Sequence, residues 1–135
     1  MDSSFPSKLL NVNVMNRIII ADDSVENAHV MELILASEGY QTKVLTNGEK
    51  LIEEVETYRP AVVILDVHLG KFDGRELAKQ IRNSEDLKQI KLVLVSAGVT
   101  PKVAEEISSD YCDAFIMKPF DLEDLLDTVS RLSSQ

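Results

Sequence analysis

The apolar residues of this chain fall into short runs, each followed by a polar break and then a stretch with helical spacing. Ile18-Ile19-Ile20-Ala21 is mostly β-branched, apolar throughout and too short for a helix, as expected of a strand covered on both faces. Ala61-Val62-Val63-Ile64-Leu65 repeats the pattern. Gln41–Thr46 reads as a weaker strand, Lys91–Val95 as a fourth and Asp113–Met117 as a fifth.

Helical signals fill the intervals. Ser24 to Glu38 reads as a helix, with Asp23 and Glu26 spaced as a capping box, Gly39 placed to stop it, and Val30, Ile34 and Leu35 on its inward face. Asn47-Gly48 introduces a second helix that runs to about Tyr58 and is ended by Pro60. A loop, Val67–Asp73, leads to a helix at Gly74–Asn83. Thr100-Pro101 is an N-cap followed by proline at the first helical position, and Asp121–Leu132 closes the chain.

Strands and helices in strict alternation predict an α/β fold: an open parallel sheet of five strands, right-handed crossovers and helices on both faces. The pattern defines one domain over residues 17–132. Residues 1–16 have no sustained period and read as an N-terminal extension, and residues 133–135 as a C-terminal tail.

Composition narrows the functional classes. At 135 residues, with 44% hydrophobic and 27% charged side chains, the chain has the make-up of one ordinary globular domain. Acidic residues outnumber basic ones 23 to 14, for a formal charge of −9. Such a surface repels phosphodiester backbones and anionic lipid, so neither nucleic acid nor membrane is expected as a direct partner. Cys112 stands alone, which excludes an internal disulfide and a multi-cysteine metal site; it reads as a small buried apolar residue. With no span-length apolar run and no secretory pattern, a cytoplasmic location is the expectation.

In an open parallel sheet the crevice used for function lies at the carboxyl ends of the strands. The first strand ends in Asp22-Asp23, the third in Asp66, the fourth in Ser96 and the fifth in Met117-Lys118-Pro119. The second ends in Thr46-Asn47, without charge. Carboxylates gathered in one crevice repel one another unless a cation sits among them, and hard oxygen ligands suit Mg²⁺. An ammonium and a hydroxyl facing them complete a clamp for a phosphoryl group, with one aspartate as its acceptor. Asp22 and Asp23 either belong to such a site or serve only as helix caps. Asp66 follows five apolar residues with no capping role in view, and a charge there is costly unless paired or metal-bound.

Four segments carry a resemblance: IIIADDS (18–24), VVILDVHLGKFDG (62–74), LVSA (94–97) and IMKPF (116–120). In this order and separation they resemble the receiver domains of two-component response regulators. The resemblance implies a flavodoxin-like sheet of strand order 2-1-3-4-5. It implies that Asp66 accepts a phosphoryl group from a histidine kinase or histidine phosphotransfer protein. Asp23 and Asp66 would then bind Mg²⁺ directly, Asp22 largely through water and His68 through its backbone carbonyl. Ser96 and Lys118 would each hold a phosphoryl oxygen, Phe115 would turn inward with Ser96 as the switch, and Lys118-Pro119 would be a cis peptide. The implied function is a phosphorylation-dependent signalling switch, not an enzyme, that assists its own phosphorylation and dephosphorylation and alters binding to a downstream effector protein.

Other readings stand beside this one. A receiver-shaped interaction module would never be phosphorylated. An aspartate-nucleophile phosphatase would need a second aspartate two residues after the first, where this chain has His68. The His68 ring either steers the hydrolytic water or is simply solvated. Gly70 stands where the family often has proline, which should loosen the loop. His29 is either a docking residue on the first helix or ordinary surface, and Phe115 either switches or is a fixed strand aromatic. Tyr111 either enlarges an aromatic contact beside the last strand or stays exposed.

Overall fold

In the computed structural model the described residues are 16–134, apart from 99, 101, 104 and 107–110. Five parallel strands form one sheet: β1 (Arg17–Ala21), β2 (Gln41–Leu45), β3 (Val62–Asp66), β6 (Lys91–Ser96) and β7 (Ala114–Met117), in the order β2-β1-β3-β6-β7. A short antiparallel ribbon, β4 (His68–Leu69) with β5 (Phe72–Asp73), follows β3. The helices are α1 (Val25–Ser37), α2 (Leu51–Tyr58), α3 (Gly74–Asn83) and α4 (Leu122–Ser133). The second strand, whose carboxyl end carries no charge, is an edge strand, as the resemblance implied.

Alternation along the strands divides the core in two. Ile19, Val63, Leu65, Leu92 and Leu94 pack with Leu51 and Val55 of α2 and with Leu77, Ala78 and Ile81 of α3. Ile18, Ile20, Val62, Ile64, Val93 and Val95 pack on the other face with Met31 and Leu35 of α1 and Leu125, Val129 and Leu132 of α4. Ile18, Ile19 and Ile20 are fully buried, each contributing roughly 1.5–3 kcal/mol of transfer free energy. A run apolar on both faces therefore forms a central strand with helices on either side.

Three local expectations are corrected. The cap of α1 is Ser24, not Asp23: the Ser24 hydroxyl accepts the Asn27 N–H at 3.2 Å, which leaves Asp23 outside the helix. The inward face of α1 is Ala28, Met31 and Leu35, so Val30 points outward and is 47% exposed. The segment after β3 is the β4–β5 ribbon rather than an open loop, and Gly70 at its turn is hydrogen-bonded rather than slack.

Gly39 does end α1, its N–H reaching the Ala36 carbonyl at 3.0 Å. The Thr100 hydroxyl accepts the Val103 N–H at 3.2 Å, as expected of an N-cap. Lys102, Val103, Glu105 and Glu106 of the helix expected there are helical, whereas Pro101 and positions 104 and 107–110 lie outside the described residues, as does the expected extension through residue 15.

Candidate functional site

Among the described residues only Asp22, Asp66 and Ser96 are buried polar or charged side chains, and all three stand at the carboxyl edge of the sheet. Burying them costs free energy that apolar strands alone would not incur, so their shared position points to a site. The backbone places them by continuing the ladders past the last apolar residue. The Asp22 N–H donates to the Leu45 carbonyl at 3.0 Å, and the Val67 N–H donates to the Val95 carbonyl at 3.0 Å. The Lys118 N–H donates to the Ser96 carbonyl at 2.8 Å, carrying the ladder between β6 and β7 to the lysine.

Lys118 connects the cluster. Its Nζ lies 2.7 Å from Asp66 Oδ2 and 3.2 Å from Asp22 Oδ2, joining residues 52 and 96 positions away in sequence. The Lys118–Pro119 peptide is cis. Each aspartate also receives a backbone N–H: Ser24 donates to Asp22 at 2.8 Å, His68 to Asp66 at 2.9 Å and Gly70 to Asp23 at 3.3 Å.

Burial pushes the Asp22 carboxyl above the usual aspartate range, and Asp66 adds to that, while the Ser24 N–H and Lys118 pull it down. Burial also works against the charge on Lys118, but its hydrogen bond to Asp66 and the attraction of both carboxylates outweigh it, so its ammonium is held above the ordinary lysine value. One ammonium is shared by two of the three carboxylates, and the crevice keeps an excess of negative charge. Asp22, Asp23 and Asp66 each offer an oxygen, and these atoms lie within 4.8 Å of one another. Such an all-oxygen anionic set suits a hard divalent cation.

The remaining expected residues occupy distinct places. The Ser96 hydroxyl sits at the crevice, donating to the Ala97 carbonyl at 3.2 Å. Phe115 is half-buried against the core cluster of α2 and α3 and lies beside Leu94 in the sheet. The His68 side chain is exposed. His29 lies away from the crevice on α1, its Nδ1 3.7 Å from Glu32. Tyr111 is neither exposed without partners nor free, because the Lys79 ammonium of α3 lies 5.3 Å from its ring. Cys112 is buried in the core, as its composition-based reading held.

Two contributors escaped the sequence reading. Ser24 is both the α1 cap and the donor that orients Asp22. Gly74 opens α3 directly against the end of β3, where a Cβ would stand 2.2 Å from the Asp66 carbonyl oxygen. A glycine directly after Asp73, the residue that caps α3, was the available signal for that close approach.

Comparison with known proteins agrees with this geometry. The model of the response regulator receiver domain matches residues 18–130. The polar-differentiation response regulator DivK of Brucella anthropi is 24% identical over 112 residues, which is 83% of this chain and 91% of that protein. The signal receiver domain of a signal transduction histidine kinase from Syntrophus aciditrophicus is 31% identical, with a TM-score of 0.80 over 88% of this chain and 90% of that one. A response regulator signal receiver domain from Bermanella marisrubri is 28% identical, with a TM-score of 0.78 over 87% and 97% of the two chains. No helix of the described residues is long and apolar enough to cross a membrane. With the acidic crevice and its lysine in place at the strand ends, the chain belongs to the response regulator receiver domains and is a module of phosphorylation-dependent signalling.

Proposed function

We propose that Asp66 is the phosphoacceptor and that Asp22, Asp23 and Asp66, with the His68 backbone carbonyl, hold Mg²⁺. The observation that carries this reading is the buried Asp66 carboxylate, paired to Lys118 at 2.7 Å within an anionic crevice. An Asp66 oxygen attacks the phosphorus of a phosphohistidine on a histidine kinase or phosphotransfer protein. A P–O bond forms, the P–N bond breaks, and the imidazole leaves with a proton. Mg²⁺, when bound, would neutralise phosphoryl charge and hold the group in line.

Lys118 then transfers its contact from the carboxylate to a phosphoryl oxygen, and the Ser96 hydroxyl supplies a donor to another. Ser96 movement makes room for Phe115 to turn further inward, favouring the conformation that an effector protein binds. A groove of about 460 Å³ beside Lys118, lined by Asn27, Val30, Ala97 and Phe120 among others, is open to the phosphodonor.

Incubation with Mg²⁺ and acetyl phosphate, followed by intact-mass measurement, tests the reading. Wild type should gain one phosphoryl mass, and Asp66→Asn or added chelator should abolish it. An unmodified wild type, or equal modification of Asp66→Asn, refutes the assignment.

A further inference from the structure

The three carboxylates of the crevice are not held equally. Asp22 and Asp66 are buried, and each has both a backbone N–H and the Lys118 ammonium. Asp23 is exposed, and among the described residues its one hydrogen-bond donor is the N–H of Gly70, 47 positions along the chain. Gly70 turns the β4–β5 ribbon with φ of 63°, a conformation that side-chain-bearing residues other than Asn and Asp rarely adopt. Space is not the reason for glycine there, since a Cβ would meet nothing nearer than the Asn47 Cβ at 4.0 Å. What the glycine supplies is a backbone amide in the left-handed region, bonded to the end of β1. A proline at this position could supply neither the N–H nor the positive φ.

We propose that Gly70 is a positioning residue for the metal site: its N–H tethers the exposed Asp23 carboxylate so that an oxygen lone pair stays directed at the cation shared with Asp22 and Asp66. Without the tether, Asp23 samples rotamers that point into solvent, and binding the cation must then also fix the side chain. The ribbon thus assists the site twice, through His68 on Asp66 and through Gly70 on Asp23. This inference rests on the acidic triad being a metal site, and its test separates the two.

Mg²⁺ is titrated calorimetrically into the whole chain in three forms. These are wild type, Gly70→Asn, and a semisynthetic protein in which the Leu69–Gly70 amide is an ester. Asparagine tolerates the left-handed region and keeps the N–H, whereas the ester removes the N–H and makes the Leu69 carbonyl a weaker acceptor. The expected result is an affinity within about twofold of wild type for Gly70→Asn and a loss of about three- to tenfold for the ester, the range of one net hydrogen bond. Equal affinity of ester and wild type overturns the tether, as does equal weakening in Gly70→Asn. Absence of Mg²⁺ binding in wild type overturns the metal reading itself. A second measurement needs no ester: the Gly70 amide of metal-free wild type should exchange with solvent several-fold more slowly than in Asp23→Ala, and equal rates refute the bond.

Discussion

At the carboxyl edge of the sheet, Lys118 pairs with Asp22 and Asp66, while the exposed Asp23 carboxylate has the Gly70 N–H as its donor. At the amino edge, Arg82 distributes its donors over the carbonyls of Lys88 at 2.7 Å, Ile90 at 3.3 Å and Tyr111 at 3.4 Å, and pairs with Asp113 at 2.6 Å. The same Asp113 oxygen accepts the Leu92 N–H at 2.8 Å. The second cluster is balanced in charge and ties the end of α3 to the starts of β6 and β7, so it serves the fold. The first is short of positive charge, the demand that a divalent cation would meet. Two ionic clusters on one sheet thus differ less in composition than in whether their demands are already met.

The largest effect that sharpens the contrast is the loss of the phosphoryl adduct in Asp66→Asn. Its melting temperature should stay near that of wild type, since one of several mutually repelling carboxylates is removed. Next, Lys118→Ala leaves Asp22 and Asp66 facing each other without a counter-ion, at a cost of about 3 kcal/mol. Mg²⁺ should then raise the melting temperature of this variant more than that of wild type, because the ion replaces the missing charge in the folded state only. A thermal melt with and without Mg²⁺ decides this, and equal Mg²⁺ shifts in both proteins would break the contrast.

Arg82→Ala should cost about 2 kcal/mol in urea melts, since it leaves Asp113 and several carbonyls without their donor. Phosphoryl uptake should persist wherever the variant is folded. A folded Arg82→Ala that cannot be phosphorylated would show that the amino-edge cluster serves the site after all. The smallest effect belongs to Asp73, which caps α3 by accepting the Arg75 N–H at 2.9 Å. Asp73→Ala should lose about 1 kcal/mol with uptake intact. Urea denaturation measures the first quantity and intact-mass kinetics the second.

Much of this was legible in the chain. β1 and β3 are continuous apolar runs, a pattern that suits strands buried on both faces, and the acids at their ends stand out against it. Helix register was less legible. Val30 fits an apolar spacing as well as Met31 does, and only the position of the sheet selects Ala28, Met31 and Leu35 as the inward face. The ribbon could not be read because strands of two residues have no periodicity. Its shape comes from contacts such as the Gly74 N–H on the Val67 carbonyl at 2.6 Å.

Residue types and their order at the strand ends were determined by the sequence alone: three aspartates, a serine and a lysine, each after an apolar run. Burial on both faces demands that pattern locally, so it survives without the fold. Which oxygen meets which donor was decided only by tertiary structure. The lysine reaches the aspartates because β7 lies beside β6, β6 beside β3 and β3 beside β1, an order that no local preference encodes. The tether from Gly70 to Asp23 belongs to the same class, for it depends on a turn geometry and a neighbour far away in sequence.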